Sequence, residues 1–213
     1  MDEIKEIKNR TYSLKRAQYK LALRLLSTIT EDGLVKKVLD VGCGMGEFAD
    51  ILRNKGKELV CVDGFDKYYK FVLSKGFESY KVNLEYEKIP LEDNSFDLVV
   101  SLEVIEHLWN TDNYLKEINR LLKPGGYALF TTMNYNYLTY RIRHLLGNFE
   151  KFTYKSRHKK FYTAKSLKKE LENYFEIKKI LGIIILPKIH IINKRFINLL
   201  SLDVGILCRK NKN

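Results

Sequence analysis

Apolar positions fall into two alternating rhythms along most of this chain. Residues 2–29 place Ile4, Ile7, Leu14, Ala17, Leu21 and Leu25 at helical spacing among lysines and arginines. Short β-branched runs then recur at Val38–Val41, Glu58–Val62, Tyr80–Val82, Phe96–Ser101 and Tyr127–Thr132. Helix-like segments separate them at Gly46–Asn54, Lys67–Ser74 and Asp112–Leu122. Runs such as FDLVVS, apolar on both faces and separated by helices, predict a parallel sheet covered on each side. After Thr132 the rhythm changes. Residues 134–162 are polar, basic and aromatic, Thr163–Tyr174 has a helical pattern, and Phe175–Leu186 and Asp203–Arg209 have strand patterns. Between those strands, Lys188–Leu202 places Ile189, Ile192, Phe196 and Leu199/Leu200 at helical spacing beside Lys188, Lys194 and Arg195. The expectation is an α/β doubly wound domain over residues 1–213: a helical cap at 1–30, an alternating β/α core at 35–133 and a basic part at 134–213.

Charge sharpens that division. The net charge is +12, yet residues 1–133 carry 20 Lys/Arg against 21 Asp/Glu, while 134–213 carry 18 against 5. A C-terminal part this basic suits an anionic partner, and it equally suits a solvated surface. The N-terminus MDEIKEIKNR lacks the apolar core of a signal peptide, and no apolar run approaches the ~20 residues of a membrane span, so a cytoplasmic protein is expected. Peripheral contact through the basic 188–202 segment is compatible with its pattern, as is packing of that segment on the sheet. Cys43, Cys61 and Cys208 are scattered without CxxC spacing, which indicates buried thiols rather than a disulfide framework or a zinc site.

The candidate chemistry starts at VLDVGCGMGEF. Gly42, Gly44 and Gly46 follow a strand and precede a helix, where glycine permits positive φ and close approach of a ligand. A dinucleotide fingerprint needs glycine or alanine where this chain has Glu47. With Asp40 on the other flank, two carboxylates disfavour a pyrophosphate and favour a cationic amino acid. Asp63, closing the second strand in VCVDGF, suits the hydroxyls of a ribose, and also suits a helix cap.

The segments VLDVGCGMGEF, VCVDGF, VNLEYEKIPLEDNSFDLVVSLEVIEHL and EINRLLKPGGYALFTT, in that order, resemble the successive motifs of class I S-adenosylmethionine-dependent methyltransferases. That resemblance implies a Rossmann-like, mostly parallel sheet of seven strands with an antiparallel last strand, an N-terminal helix and a lid insertion after the fifth strand. It also implies S-adenosylmethionine as cofactor and S-adenosylhomocysteine as product. Asp40, Gly42, Gly44 and Gly46 would hold the methionine part, Asp63 with Gly64 and Phe65 the ribose, and Asn83 and Leu84 the adenine. Ser101, Leu102 and Glu103 would line the pocket, and Tyr19, or Tyr12, would close over the methionine.

The stretch after the fourth strand bears on the reaction. Enzymes acting on exocyclic amino groups of bases carry an Asn/Asp-Pro-Pro-aromatic motif there, whereas this chain has Ser101-Leu102-Glu103-Val104. The continuation EVIEHL resembles ubiquinone-pathway O-methyltransferases and small-RNA 2′-O-methyltransferases. In the RNA enzymes two glutamates and a histidine bind a divalent metal with a second, downstream histidine. Glu103, Glu106, His107 and His158 match that set, with His107 alternatively a base or pocket residue, and the glutamates alternatively favoured by a helix N-terminus. The resemblance therefore implies methyl transfer to oxygen of a small-molecule or lipid-linked acceptor. The alternative is 2′-O-methylation of RNA, favoured by the basic residues 134–213 and the EVIEHL/His158 set. The cations and aromatics of 134–162 suit a phosphorylated or prenylated small molecule, a single-stranded nucleic acid, or a lid packed on its own aromatics.

Overall fold

The computed structural model describes residues 17–29, 35–147, 157–186, 189–193 and 197–211. Its centre is an eight-stranded sheet in the order β3-β2-β1-β4-β5-β8-β6-β7. The first five strands are β1 (Lys37–Val41), β2 (Glu58–Asp63), β3 (Glu78–Lys81), β4 (Phe96–Leu102) and β5 (Leu122–Met133), and they pair in parallel. β6 (Glu176–Leu186), β7 (Ile189–Asn193) and β8 (Asp203–Arg209) complete the sheet with antiparallel pairings. The chain's final strand thus inserts between β5 and β6.

Two expectations are corrected here. The sheet has eight strands, not seven, and part of the segment with helical spacing is a strand; β8, the last strand, is antiparallel as expected, while β6 runs in the direction of β1–β5. The extra strand comes from the segment with helical spacing: Ile189–Asn193 pairs with β6 from Ile183↔Ile192 to Leu186↔Ile189, leaving only the short helix Ile197–Leu200. A run as short as IHIIN satisfies periods of 2 and 3.6 alike, and the β-branched residues take the ladder that β6 offers.

Helices cover both faces. On one side lie α1 (residues 17–26), α2 (Glu47–Arg53) and α3 (Asp66–Ser74). Ala17, Leu21 and Leu25 of α1 and Phe48 and Leu52 of α2 pack on Val38, Leu98, Val100, Leu129 and Leu207. On the other side lie α4 (Thr111–Leu121) and α6 (Ala164–Leu171), with α5 (Leu138–Leu145) in the insertion after β5 and α7 (Ile197–Leu200) before β8. α4 buries Tyr114, Leu115, Ile118 and Leu121, a single stripe at helical spacing, and Asn110 caps it by accepting from Asn113 N at 3.3 Å. α6 starts with a reciprocal capping pair, Thr163 and Ser166. Because the parallel strands are buried on both faces, β1 and β4 expose their C-terminal ends at one rim only. That rim, where the strand order reverses between β1 and β4, is where open α/β sheets hold ligands. Residues 2–16, including Tyr12, lie outside the described residues. So do Phe149, Lys151, Phe152, Tyr154 and Lys155 of the insertion, and Lys188, Lys194, Arg195 and Phe196.

Candidate active site

The glycine loop leaves the end of β1 and is drawn onto β2: Gly42 N and Cys43 N donate to Val62 O at 2.7 and 3.2 Å. Gly42, Gly44 and Gly46 all have left-handed backbones, with φ of 72°, 54° and 68°. Their surroundings differ. A Cβ on Gly42 would lie 2.3 Å from Val104 Cγ2, whereas one on Gly44 would meet no atom within 4 Å. Gly42 is thus required by packing against the β4 exit, whereas Gly44 faces open space, which leaves its backbone approachable.

Two acids flank the loop. Asp40 is buried, and its Oδ2 has no hydrogen-bond partner among the described residues. Burial, followed by the charge of Asp63, pushes its carboxyl up to about 7. Asp63 Oδ2 accepts from Gly44 N and Oδ1 from Phe65 N, each at 2.9 Å. Burial raises Asp63 while these amide donors oppose the rise. Asp63 therefore clamps the glycine loop to the Gly64–Phe65 turn. Phe65 stands 59% exposed, with the Arg157 guanidinium 6.0 Å from its ring centroid. Tyr19, on α1, donates to Glu47 Oε2 at 2.7 Å and packs on Phe48 with centroids 5.4 Å apart, so it reaches the same loop. Asn83 is exposed and accepts from Glu85 N at 3.1 Å, while Leu84 is buried.

At the end of β4, Ser101 is turned inward: it is buried and its Oγ accepts from Tyr114 OH. Leu102 and Glu103 are half-buried, and Glu103 has a left-handed backbone, φ 57°, a conformation that costs a non-glycine residue about 1–3 kcal/mol. Ile105–His107 form a single 3-10 turn, so Glu103 precedes the turn instead of sharing a helix face with Glu106 and His107. Thr131 Oγ1 donates to Glu103 Oε1 at 2.9 Å. Burial and the Glu106 charge raise Glu103 well above the ordinary carboxylate range despite that donor. Glu106 is 2% exposed and neither carboxylate oxygen has a hydrogen-bond partner among the described residues; burial raises it as well, to about 7.

His158 arrives from the segment that precedes α6, and its ring meets that of His107 edge-on, centroids 4.8 Å apart. One ligand atom each of Glu106, His107 and His158 lies within 4.8 Å of the others. His107 Nδ1 is 3.1 Å from Arg157 O. Since a carbonyl only accepts, Nδ1 is the donor in this contact, and Nε2 is the ring nitrogen it leaves free of that bond. Burial, then the His107 charge, lowers His158 to about 4, which leaves it neutral at pH 7. Two imidazoles and a buried carboxylate brought this close form a donor set of the kind that suits a divalent cation. Glu103 falls outside this three-residue group.

Sequence reasoning missed Glu85, Thr131 and Asp203. Asp203, the first residue of β8, is 1% exposed with Oδ2 unpartnered among the described residues, and burial and Glu103 raise it far above its usual range. An aspartate opening an apolar strand, DVGILCR, was the available signal.

A family profile described as a methyltransferase domain matches residues 13–174. The chain belongs to this family. Its family and fold make it a class I S-adenosylmethionine-dependent methyltransferase, with S-adenosylmethionine as cofactor. Among curated proteins, it is 32% identical over 111 residues to a ubiquinone biosynthesis O-methyltransferase of Acinetobacter baylyi, covering 49% of this chain and 47% of that one. A protein of the same name from Thiobacillus denitrificans is 35% identical over 111 residues, with the same coverage. The chain thus spans about half the length of the curated relatives it matches. Among solved structures, an S-adenosylmethionine-dependent methyltransferase of Thermotoga maritima superposes with a TM-score of 0.74 at 20% identity, covering 98% of this chain and 97% of that one. A methyltransferase of Archaeoglobus fulgidus gives 0.65 at 23% identity, covering 91% and 94%. Among the described residues no helix is long and apolar enough to cross a membrane.

Proposed function

We propose that this methyltransferase methylates a hydroxyl oxygen of a small-molecule or lipid-linked acceptor, using Glu106, His107 and His158 at the acceptor oxygen. The observation that carries this reading is the convergence of those three side chains beyond the end of β4. The similarity of half the chain to O-methyltransferases supports it. Asp40, with its orphaned oxygen, and the open face of Gly44 suit the ammonium end of the cofactor. Asp63, with Gly64 and Phe65, is assigned to the ribose, Asn83 and Leu84 to the adenine side, and Tyr19 and Gly46 to the loop's outer edge.

S-adenosylmethionine supplies a methyl group already activated on a sulfonium, so the protein must orient the acceptor, exclude water and dispose of its proton. Glu106, His107 and His158 are assigned to a divalent cation, which when bound polarises an oxygen and lowers the pKa of a hydroxyl. Within this assignment the Arg157 carbonyl engages His107 Nδ1 and leaves Nε2 as the nitrogen for the cation. Burial keeps His158 neutral and able to donate its lone pair. Glu103, braced by Thr131, lines the acceptor side.

The test is methyl transfer to a panel of hydroxylated acceptors before and after treatment with a chelator, with His158→Ala alongside. Loss of activity on chelation, restored by a divalent cation and absent in His158→Ala, is expected. Full activity after chelation would transfer the role to His107 as general base, and activity confined to amine acceptors would sink O-methylation. A ribose 2′-hydroxyl of RNA offers the same oxygen chemistry, and the basic residues 134–213 favour it; RNA binding that weakens steeply with salt is its signature.

A further inference from the structure

His158 is the one member of the cluster carried by irregular chain: residues 157–163 belong to neither a helix nor a strand. Its position must therefore come from contacts its neighbours make. Lys159 N and Lys160 N both donate to Glu106 O, at 2.7 and 3.0 Å. The side chain of Lys159 adds the long-range anchor, with Nζ 2.9 Å from Glu85 Oε2 and 6.0 Å from the centroid of the Trp109 ring. Glu85 is itself held from other directions. Its Oε1 accepts from Trp109 N at 2.5 Å and Asn110 N at 3.3 Å, and its carbonyl accepts from Asn110 Nδ2 at 3.1 Å. Glu85 is 8% exposed and follows Asn83 and Leu84 in the loop after β3. Its carboxylate thus joins three pieces of chain: the β3 exit, the entrance to α4 and the segment bearing His158.

We infer that Glu85 and Lys159 are positioning residues, whose ion pair, between a buried carboxylate and a half-buried ammonium, sets His158 against Glu106 and His107. The inference rests on the assignment of that cluster to a divalent cation. Neither residue touches the cluster through its side chain, so each acts at one remove. Glu85 is fully engaged by two backbone amides and one ammonium, a satisfied arrangement that fixes the fork of the carboxylate. Removing the ammonium leaves a buried carboxylate short of its partner and frees the peptide next to His158. The two backbone bonds to Glu106 O remain, so the segment should loosen rather than detach. Outer partners of metal ligands typically change metal affinity by roughly 10–100-fold.

The experiment is titration of the full chain with manganese(II), followed by loss of the free-ion electron paramagnetic resonance signal. S-adenosylhomocysteine binding is measured on the same samples by calorimetry. Lys159→Met should weaken manganese binding by roughly 10–100-fold while cofactor-product affinity stays within about twofold, and Lys159→Arg should restore most of the loss. Glu85→Gln keeps an acceptor oxygen for Trp109 N and tests the charge without changing the shape; combined with Lys159→Met it should add little, because the two act as one unit. A merely structural role would lower manganese and S-adenosylhomocysteine binding together. Manganese binding by the unaltered chain that is unchanged in Lys159→Met overturns this inference alone. No manganese binding by the unaltered chain overturns the cation assignment and this inference with it.

Discussion

Gly42→Ala tests how the cofactor loop is built. A methyl group at this position would sit 2.3 Å from Val104 Cγ2 and 3.3 Å from Cγ1, and the backbone would keep φ near 72°. The left-handed conformation costs an alanine about 1–2 kcal/mol, and forcing a methyl into a packed site costs about 1–3 kcal/mol. The expected loss is therefore on the order of 2–5 kcal/mol, a drop in melting temperature of roughly 10 °C for a chain of this size. Val104 immediately follows Glu103, so the displaced side chain also disturbs the acceptor side. Thermal and urea unfolding of Gly42→Ala, Val104→Ala and the double variant measure the coupling. Val104→Ala removes the atoms that clash, so the double variant should be more stable than the two single losses added together. Gly44→Ala has the same left-handed backbone penalty and no clash, so it should cost only about 1–2 kcal/mol and lose cofactor affinity out of proportion. Strict additivity of Gly42→Ala and Val104→Ala would refute the packing argument.

The remaining predictions concern ligands. Asp40, raised to about 7, is the group proposed for the cofactor's ammonium and pairs with it only when ionised. S-adenosylhomocysteine affinity should therefore be greatest above about pH 7 and fall as pH drops through that value, approaching tenfold per unit. In Asp40→Asn calorimetry should show weaker binding without this slope; a slope that persists would assign the titration elsewhere. Tyr19→Phe deletes the hydroxyl bound to Glu47 and should raise the KM for S-adenosylmethionine severalfold with kcat nearly unchanged, whereas unaltered steady-state kinetics would remove Tyr19 from the site. Asp63→Ala frees Gly44 N and Phe65 N and should abolish S-adenosylhomocysteine binding; retention of binding would contradict the ribose assignment.

Much of this architecture is written locally. The alternation of β-branched runs with amphipathic helices yields β1 to β5 and α2 to α4 because each element's burial follows its own period. The candidate site residues legible in sequence are those tied to local backbone needs: glycines at positive φ, an acid closing β2, and EVIEHL directly after β4. What local pattern does not encode is pairing over distance. Ile189–Asn193 became a strand because β6 was available to it, and Ser101 turned inward because Tyr114, 13 residues away, takes its hydroxyl. Glu85 reads as one more acid in a charged loop; its partner Lys159 lies 74 residues on. The left-handed Glu103 carries no compositional sign, since the strain is held by its surroundings.

The most direct measurement of the central claim is transfer of a labelled methyl group from S-adenosylmethionine into fractionated cell extract, with the unaltered chain, Asp63→Ala and His158→Ala side by side. The account predicts label in a small-molecule or lipid fraction with the unaltered chain, and none with either variant. Label that survives Asp63→Ala, or that resides in ribonuclease-sensitive material, would contradict it.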